Sequence, residues 1–219
     1  AAQRIRTYIK FITMISNTQY KTHTKPFDYL EATTEFFTPE VYEKLTNILY
    51  SDAIDNWNVY NNDGSDPAYP QGQVIMINDE AREKATGFLR EFYDWLWTDE
   101  LTAHIFKATG VQFNYYNCMW HLDYPGFDQG WHNDVDAYPD KEITTFQVYM
   151  AQDNNHIDSG VLVSDASKIV QAQVLYKPNH AWCFTAHENT WHKVKEIDFF
   201  RPSFMVREHR LLINEKRNK

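Results

Sequence analysis

The chain has 219 residues, of which 43% are hydrophobic and 16% aromatic, enough to bury the core of one large domain. Its formal net charge of -9 at pH 7 offers no basic surface to a phosphate backbone, so we expect no nucleic-acid partner. Cys118 and Cys183 lie far apart in strand-like runs, which indicates two buried thiols rather than a disulfide framework. No apolar run reaches the roughly 20 residues of a membrane helix, so we expect a soluble, cytoplasmic protein with no membrane partner.

Residues 1–109 are predicted to be mainly helical. Thr38 is followed by a proline and a glutamate, which gives an N-cap, a first-turn proline and an acid at the positive end of the helix dipole. A second helix is expected to begin near Asn78, and a third, shorter one to end at Gly110. These helices are expected to support a core formed by the rest of the chain.

A long loop, residues 52–73, separates the first two predicted helices. It is dense in Asn, Asp, Gly and Pro and has no periodic apolar face. Long loops in compact domains often carry function, so this segment is a candidate lid or specificity element.

Residues 110–213 are predicted to form a β-sandwich or barrel. Short runs rich in aromatic and β-branched residues alternate with turn clusters, as in VQFNYYNCMW, ITTFQVYM, GVLV, AWCFTA, TWHKVKEI and SFMVRE. The sequence therefore predicts one domain of the α+β class, with helices before a mainly antiparallel β core.

A candidate metal site begins in the segment GWHNDVDAY. His132 and Asp134 are two positions apart, and side chains i and i+2 of an extended chain project to the same side. His192, in NTWHKV, is the best placed of the later histidines for a third ligand. Two imidazoles and one carboxylate leave open positions on a metal, which suits Fe(II) that must also bind a cosubstrate and dioxygen.

A candidate carboxylate-binding pair follows His192. Arg201 and Ser203 lie nine and eleven positions after it, and a guanidinium with a hydroxyl two residues on can hold a carboxylate by several hydrogen bonds. In the run ITTFQVYM, Thr145, Gln147 and Tyr149 share one face. A polar face turned into a barrel is costly unless the interior holds a ligand.

With these features, residues 110–210 resemble the 2-oxoglutarate/Fe(II) oxygenase superfamily and, within it, the prolyl-4-hydroxylase-like branch. The matching parts are WHND, TTFQVYM, SGVLV, TWH and RPS. The resemblance implies a double-stranded β-helix (jelly-roll) that binds Fe(II), 2-oxoglutarate as cosubstrate, and dioxygen. It assigns iron to His132, Asp134 and His192, and 2-oxoglutarate to Arg201, Ser203, Tyr149 and Tyr124.

The implied activity is hydroxylation of a substrate C–H bond, with 2-oxoglutarate decarboxylated to succinate. Asp134 favours hydroxylation over halogenation, since halogenases of this superfamily carry a small residue at that position. A peptide or amino-acid side chain is the first expectation for the substrate, and a small-molecule metabolite is the alternative. Arg201 stands where many prolyl hydroxylases have lysine, which weakens the case for proline.

The other histidines are expected to lie outside the metal site. His121 and Asp123 form a second His-x-Asp pair, but a Pro-Gly turn follows them, and barrels of this superfamily place the metal pair beyond such a turn. His121 is therefore expected on the preceding strand, either packed or facing solvent. Surface positions are expected for His156, His180 and His187.

Three other classes of protein remain open. A nucleic-acid demethylase would share the iron site, but it should show a basic groove. A zinc hydrolase could use the same three ligands, although it would have no use for Arg201 and Ser203. A non-catalytic jelly-roll binding module would not need clustered metal ligands.

Overall fold

The structure is a computed structural model that describes residues 13–51, 71–112, 115–135 and 141–211. Most of the predicted 52–73 loop lies outside the described residues, so its role as a lid stays a prediction. The helices are α1 (Pro39–Leu49), α2 (Asp79–Lys84), α3 (Gly87–Leu96) and α4 (Glu100–Thr109). The strands are β1 (Tyr20–His23), β2 (Tyr29–Ala32), β3 (Gly72–Met76), β4 (Tyr115–Asp123), β5 (Gln129–His132), β6 (Lys141–Tyr149), β7 (Leu162–Ser164), β8 (Ala172–Gln173), β9 (His180–Thr185), β10 (Trp191–Val194) and β11 (Arg201–Leu211).

The predicted helix starts at Thr38 and Asn78 are confirmed, although the Thr38 side chain makes no capping hydrogen bond and the second helix is interrupted. Asn78 caps α2 by accepting a hydrogen bond from the backbone N–H of Ala81. Ala85 then has an extended backbone, so the second predicted helix is divided into α2 and α3. Gly110 ends α4 in the left-handed conformation, with φ 71°, which glycine adopts without steric cost.

Two antiparallel sheets form the β core. The larger sheet has the order β1-β2-β9-β6-β11-β4-β3, and the smaller has the order β5-β10-β7-β8. From β4 onward the chain passes repeatedly from one sheet to the other, so strands adjacent in sequence mostly lie in different sheets. Strands β1, β2 and β3, which the sequence analysis did not predict, extend the larger sheet at its two edges.

The larger sheet buries apolar side chains on both faces. Phe146 and Val148 on β6 pack on the helix side, as does Phe204 on β11. The opposite face packs against the smaller sheet through Ile143, Tyr149, Trp182, Phe184, Val163 and Val194. Burial of each large apolar side chain contributes about 1.5–3 kcal/mol, so these two layers fix how the sheets face each other. The polar side chains that alternate with Phe146 and Val148 therefore lie between the sheets.

Several smaller predictions can be compared with the fold. Cys118 and Cys183 are buried free thiols, as predicted. Asn179 adopts a left-handed backbone with φ 56° in the turn before β9. The surface position predicted for His180 is wrong, because this imidazole is buried and its Nε2 lies 2.9 Å from Glu31 Oε1. None of the described helices has both the length and the apolar character needed to cross a membrane.

Candidate metal centre

His132, Asp134 and His192 come together between the two sheets. His132 ends β5 and faces His192 on β10 across the strand pair, and Asp134 lies in the turn after β5. One ligand atom from each residue lies within 4.8 Å of the other two, and the described residues contain no second such group. The His132 Nε2 atom lies 3.9 Å from Asp134 Oδ1. The predicted triad therefore converges in the structure.

Backbone carbonyl groups orient both imidazoles of the triad. His132 Nδ1 lies 2.9 Å from the carbonyl oxygen of Gly130, and His192 Nδ1 lies 3.0 Å from that of Thr190. A carbonyl can only accept, so each Nδ1 donates, and in the neutral ring the Nε2 lone pair is then available to a metal. Burial and the neighbouring His132 lower the pKa of His192 to about 4, so this imidazole is neutral at neutral pH. The donor set fits a divalent metal such as Fe(II).

The carboxylate of Asp134 is held by two residues from the larger sheet. Thr145 on β6 donates its hydroxyl to Oδ2 at 3.3 Å, and Arg207 on β11 places Nη2 3.6 Å from Oδ1. Burial alone would raise the pKa of Asp134, but Arg207, the two imidazoles and Thr145 together hold it below its ordinary value. The group is therefore an anion that is already positioned to bind a cation.

Arg207 was not recognised in the sequence analysis. It lies six residues after Arg201 and pairs across the sheet with Thr145. Alternation along β11 places Arg201, Ser203 and Arg207 on one face, so the strand period could have identified it.

Arg201 is buried and already holds a carboxylate of its own chain. Its Nε and Nη2 atoms both donate to Asp123 Oδ2, at 3.0 Å and 2.6 Å, and Nη1 donates to the carbonyl oxygen of Ser159 at 3.2 Å. Asp123 is the cross-strand neighbour of Arg201 on β4. Complete burial works to raise the pKa of Asp123, and the guanidinium opposes that rise. In the sequence, Asp123 stands out only as part of the second His-x-Asp pair, with His121.

Ser203 and Tyr149 face the space between the sheets, and both are engaged by neighbouring groups. The hydroxyl of Ser203 accepts a hydrogen bond from Gln147 Nε2 at 2.8 Å. The hydroxyl of Tyr149 accepts one from the backbone N–H of Val161 at 3.2 Å. Tyr124 donates its hydroxyl to Gln73 at 2.8 Å and contributes to the helix-side cluster. The parts of Ser203, Tyr149 and Tyr124 in cosubstrate binding stay predictions.

His121 lies on β4, as predicted, beside the same interior space. Its Nε2 atom is buried and has no hydrogen-bond partner among the described residues. Burial lowers its pKa to about 3, and so do the nearby charges of Arg207 and Arg201, whereas Asp134 opposes the shift. A neutral imidazole with an unsatisfied buried nitrogen beside the candidate metal ligands fits a pocket that receives a polar ligand.

Two tryptophans close to the triad in sequence, Trp120 and Trp191, do not line it. Trp120 alternates with His121 and is buried in the helix-side cluster. Trp191 precedes His192 on β10, so its ring takes the opposite face of the strand, where Lys168 Nζ lies 3.8 Å from the ring centroid. These rings therefore do not reach the space between the sheets.

Comparison with known proteins gives a match only at the level of structure. No family model matches the sequence, and no curated protein matches it. Among solved structures, the fold is similar to that of 2-oxoglutarate/Fe(II) oxygenases. A Pseudomonas putida prolyl-4-hydroxylase aligns with a TM-score of 0.62 and 15% identity, over 83% of this chain and 92% of that one.

Two further structures are similar to this chain. An oxidoreductase of the 2OG-Fe(II) oxygenase family from Burkholderia pseudomallei has a TM-score of 0.53 and 13% identity, over 80% of this chain and 79% of its own. HygX from Streptomyces hygroscopicus, solved with nickel, 2-oxoglutarate and hygromycin B, has a TM-score of 0.55 and 9% identity, over 84% and 83%. The resemblance seen in the sequence is therefore confirmed for the fold.

Proposed function

We propose that this protein is a 2-oxoglutarate-dependent Fe(II) dioxygenase that hydroxylates a C–H bond. The observation that carries the proposal is the convergence of His132, Asp134 and His192, with both Nε2 atoms left for a metal. Iron bound there would supply the oxygen chemistry, in which dioxygen oxidises 2-oxoglutarate to succinate and carbon dioxide and the substrate is hydroxylated.

We also infer that the two sheets form a double-stranded β-helix. The repeated passage of the chain between the sheets, from β4 to β11, supports this architecture. In this interpretation residues 110–213 form the catalytic core of a single domain, and residues 1–109 support it. The metal ligands come from the smaller sheet and the turn after β5, whereas the residues proposed to bind 2-oxoglutarate belong mostly to the larger sheet.

The cosubstrate is proposed to lie between the sheets, with its far carboxylate at Arg201 and Ser203. Tyr149 is proposed to add a hydroxyl to that pocket, and Tyr124 to line it. Buried polar groups on both sides of this space support the proposal, because such groups cost free energy unless a partner satisfies them. The role of these residues would be to orient the cosubstrate and to exclude water from the reacting atoms.

For the substrate, a peptide or an amino-acid-like molecule is proposed first. The fold shared with the P. putida prolyl-4-hydroxylase supports this class. A small metabolite is the second candidate, and the fold shared with HygX, which was solved with hygromycin B, supports it.

The test is conversion of 2-oxoglutarate to succinate without added substrate, measured with Fe(II) and oxygen. The chain should produce succinate only when both are present, and Asp134→Ala should abolish the activity. Asp165→Ala, which removes a carboxylate from the turn after β7, should leave it unchanged. No succinate from a protein that binds Fe(II) would exclude the oxygenase and favour a hydrolase or a binding module.

A further inference from the structure

The buried ion pair between Asp123 and Arg201 places a carboxylate of the protein on the guanidinium that is proposed to hold the cosubstrate. The two side chains are 5% and 4% exposed, and they are neighbours across β4 and β11. Two of the five N–H groups of Arg201 point to one oxygen of Asp123, and a third points to the carbonyl oxygen of Ser159. Two N–H groups are left for a second carboxylate.

The main consequence of this ion pair is electrostatic. Arg201 and Asp123 together are neutral, so the far carboxylate of 2-oxoglutarate would bring an uncompensated negative charge into a buried place. Two carboxylates on one guanidinium repel each other, and the repulsion is weakly screened away from solvent. Ser203 offers only a hydroxyl that Gln147 already engages, which cannot replace the missing positive charge.

We propose that Asp123 is a specificity-determining residue that competes with the cosubstrate for Arg201. This inference rests on the proposed function and deepens it. In the ligand-free protein, Asp123 stabilises a guanidinium that would otherwise be buried without a counter-charge. When a dicarboxylate binds, the charge of Asp123 weakens the binding of that dicarboxylate to Arg201. Asp123 therefore contributes stability to the empty protein at the expense of affinity for 2-oxoglutarate.

The competing explanation is that Asp123 only orients Arg201. The two explanations differ in sign: if Asp123 competes, removing its charge tightens the binding of 2-oxoglutarate, and if it orients, removal weakens it. They also differ in ligand dependence. Competition concerns only the far carboxylate. Removing the charge of Asp123 should therefore not change the affinity for a 2-oxo acid that lacks this group.

The experiment measures two dissociation constants by calorimetry, without oxygen, on protein loaded with Mn(II). The ligands are 2-oxoglutarate and 2-oxopentanoate, which has the same five-carbon chain with a methyl group in place of the far carboxylate. In Asp123→Asn, 2-oxoglutarate should bind on the order of 10- to 100-fold more tightly, from the Coulomb repulsion removed at an intermediate dielectric. The affinity for 2-oxopentanoate should stay the same. The ligand-free variant should melt at a lower temperature than wild type, and 2-oxoglutarate should restore more of its stability.

Control variants separate this effect from damage to the fold. Combining Asp123→Asn with Arg201→Gln should abolish the gain, and Asp153→Asn, on an exposed loop, should not change either constant. Should Asp123→Asn fail to fold, Asp123→Thr removes the charge with a residue suited to strands.

Unchanged or weaker binding of 2-oxoglutarate by a folded variant would overturn the inference, as would equal tightening of both ligands. If wild-type protein binds Mn(II) but neither it nor the variants bind 2-oxoglutarate, the proposed function fails and the inference with it. Binding by wild type without a gain in the variant rejects the role of Asp123 alone.

Discussion

Replacing Glu208 with glutamine should remove a steep dependence of stability on pH. Glu208 lies on β11 and is 1% exposed, and both of its carboxyl oxygens are buried without a hydrogen-bond partner among the described residues. It alternates along the strand with Arg207 and therefore shares the helix-side face with Phe204 and Val206. Burial raises the pKa of Glu208 from its ordinary value of 4.5 to about 8.

The size of the effect follows from these two pKa values. Above pH 4.5 the unfolded chain releases the proton, whereas the folded chain keeps it until about pH 8. The unfolded state is therefore favoured as pH rises, and the free energy of unfolding falls by about 1.4 kcal/mol per pH unit over this interval. The loss approaches 5 kcal/mol, as an order of magnitude, and is complete above pH 8.

The assay is urea denaturation of wild type and Glu208→Gln at pH 5.5 and 7.5. The difference in unfolding free energy between them should shift by about 3 kcal/mol in favour of the variant at the higher pH. The matched control is Glu91→Gln on an exposed position of α3. Its free energy of unfolding should change between the two pH values as that of wild type does. Parallel pH profiles for wild type and Glu208→Gln would refute the reasoning, because they would mean that Glu208 ionises equally in both states.

Three other substitutions test the candidate site and the packing around it. Arg207→Met should weaken Mn(II) binding by about 10- to 100-fold in a titration while the circular dichroism spectrum stays unchanged, because it removes the guanidinium that orients the Asp134 carboxylate. Gly160→Ala should cost about 3 kcal/mol or more in urea denaturation, since its Cβ would lie 1.7 Å from the carbonyl oxygen of Val174, and a near-neutral result would refute that packing. Gly130→Ala is the control, with open space around its Cβ. His121→Leu should stabilise the ligand-free protein by about 1–3 kcal/mol and raise the KM for 2-oxoglutarate, and an unchanged KM would place His121 outside the pocket.

The convergence of the candidate metal ligands could be predicted from the sequence because its signals are local. His132 and Asp134 are two positions apart at a strand end, and His192 lies in a run with strand periodicity. The polar face of β6 was likewise visible as alternation, and Thr145 on that face now contacts Asp134. Such patterns depend on the geometry of one strand and need no knowledge of its neighbours.

Contacts set by strand pairing could not be predicted in this way. Asp123 and Arg201 are 78 residues apart in sequence, and only the register between β4 and β11 makes them neighbours. The four-residue strands β1 and β2 were missed because strands this short show little alternation; the two central residues of β1 are both exposed. His180 was expected at the surface because its turn is polar, whereas Glu31 on β2 supplies a half-buried partner that sequence alone does not reveal.

Because β5 pairs with β10, metal binding by the candidate ligands would depend on the register between these two strands. His132 and His192 are direct cross-strand partners, and the ladder shifts register between His192 and Val194. A slip of one residue along β10 would turn His192 outward and carry the ring of Trp191 into its place, because neighbouring side chains on a strand take opposite faces. The two sheets could stay packed after such a slip, yet the chelate would be lost. Metal affinity should therefore respond to disturbances of the smaller sheet that leave the melting temperature almost unchanged.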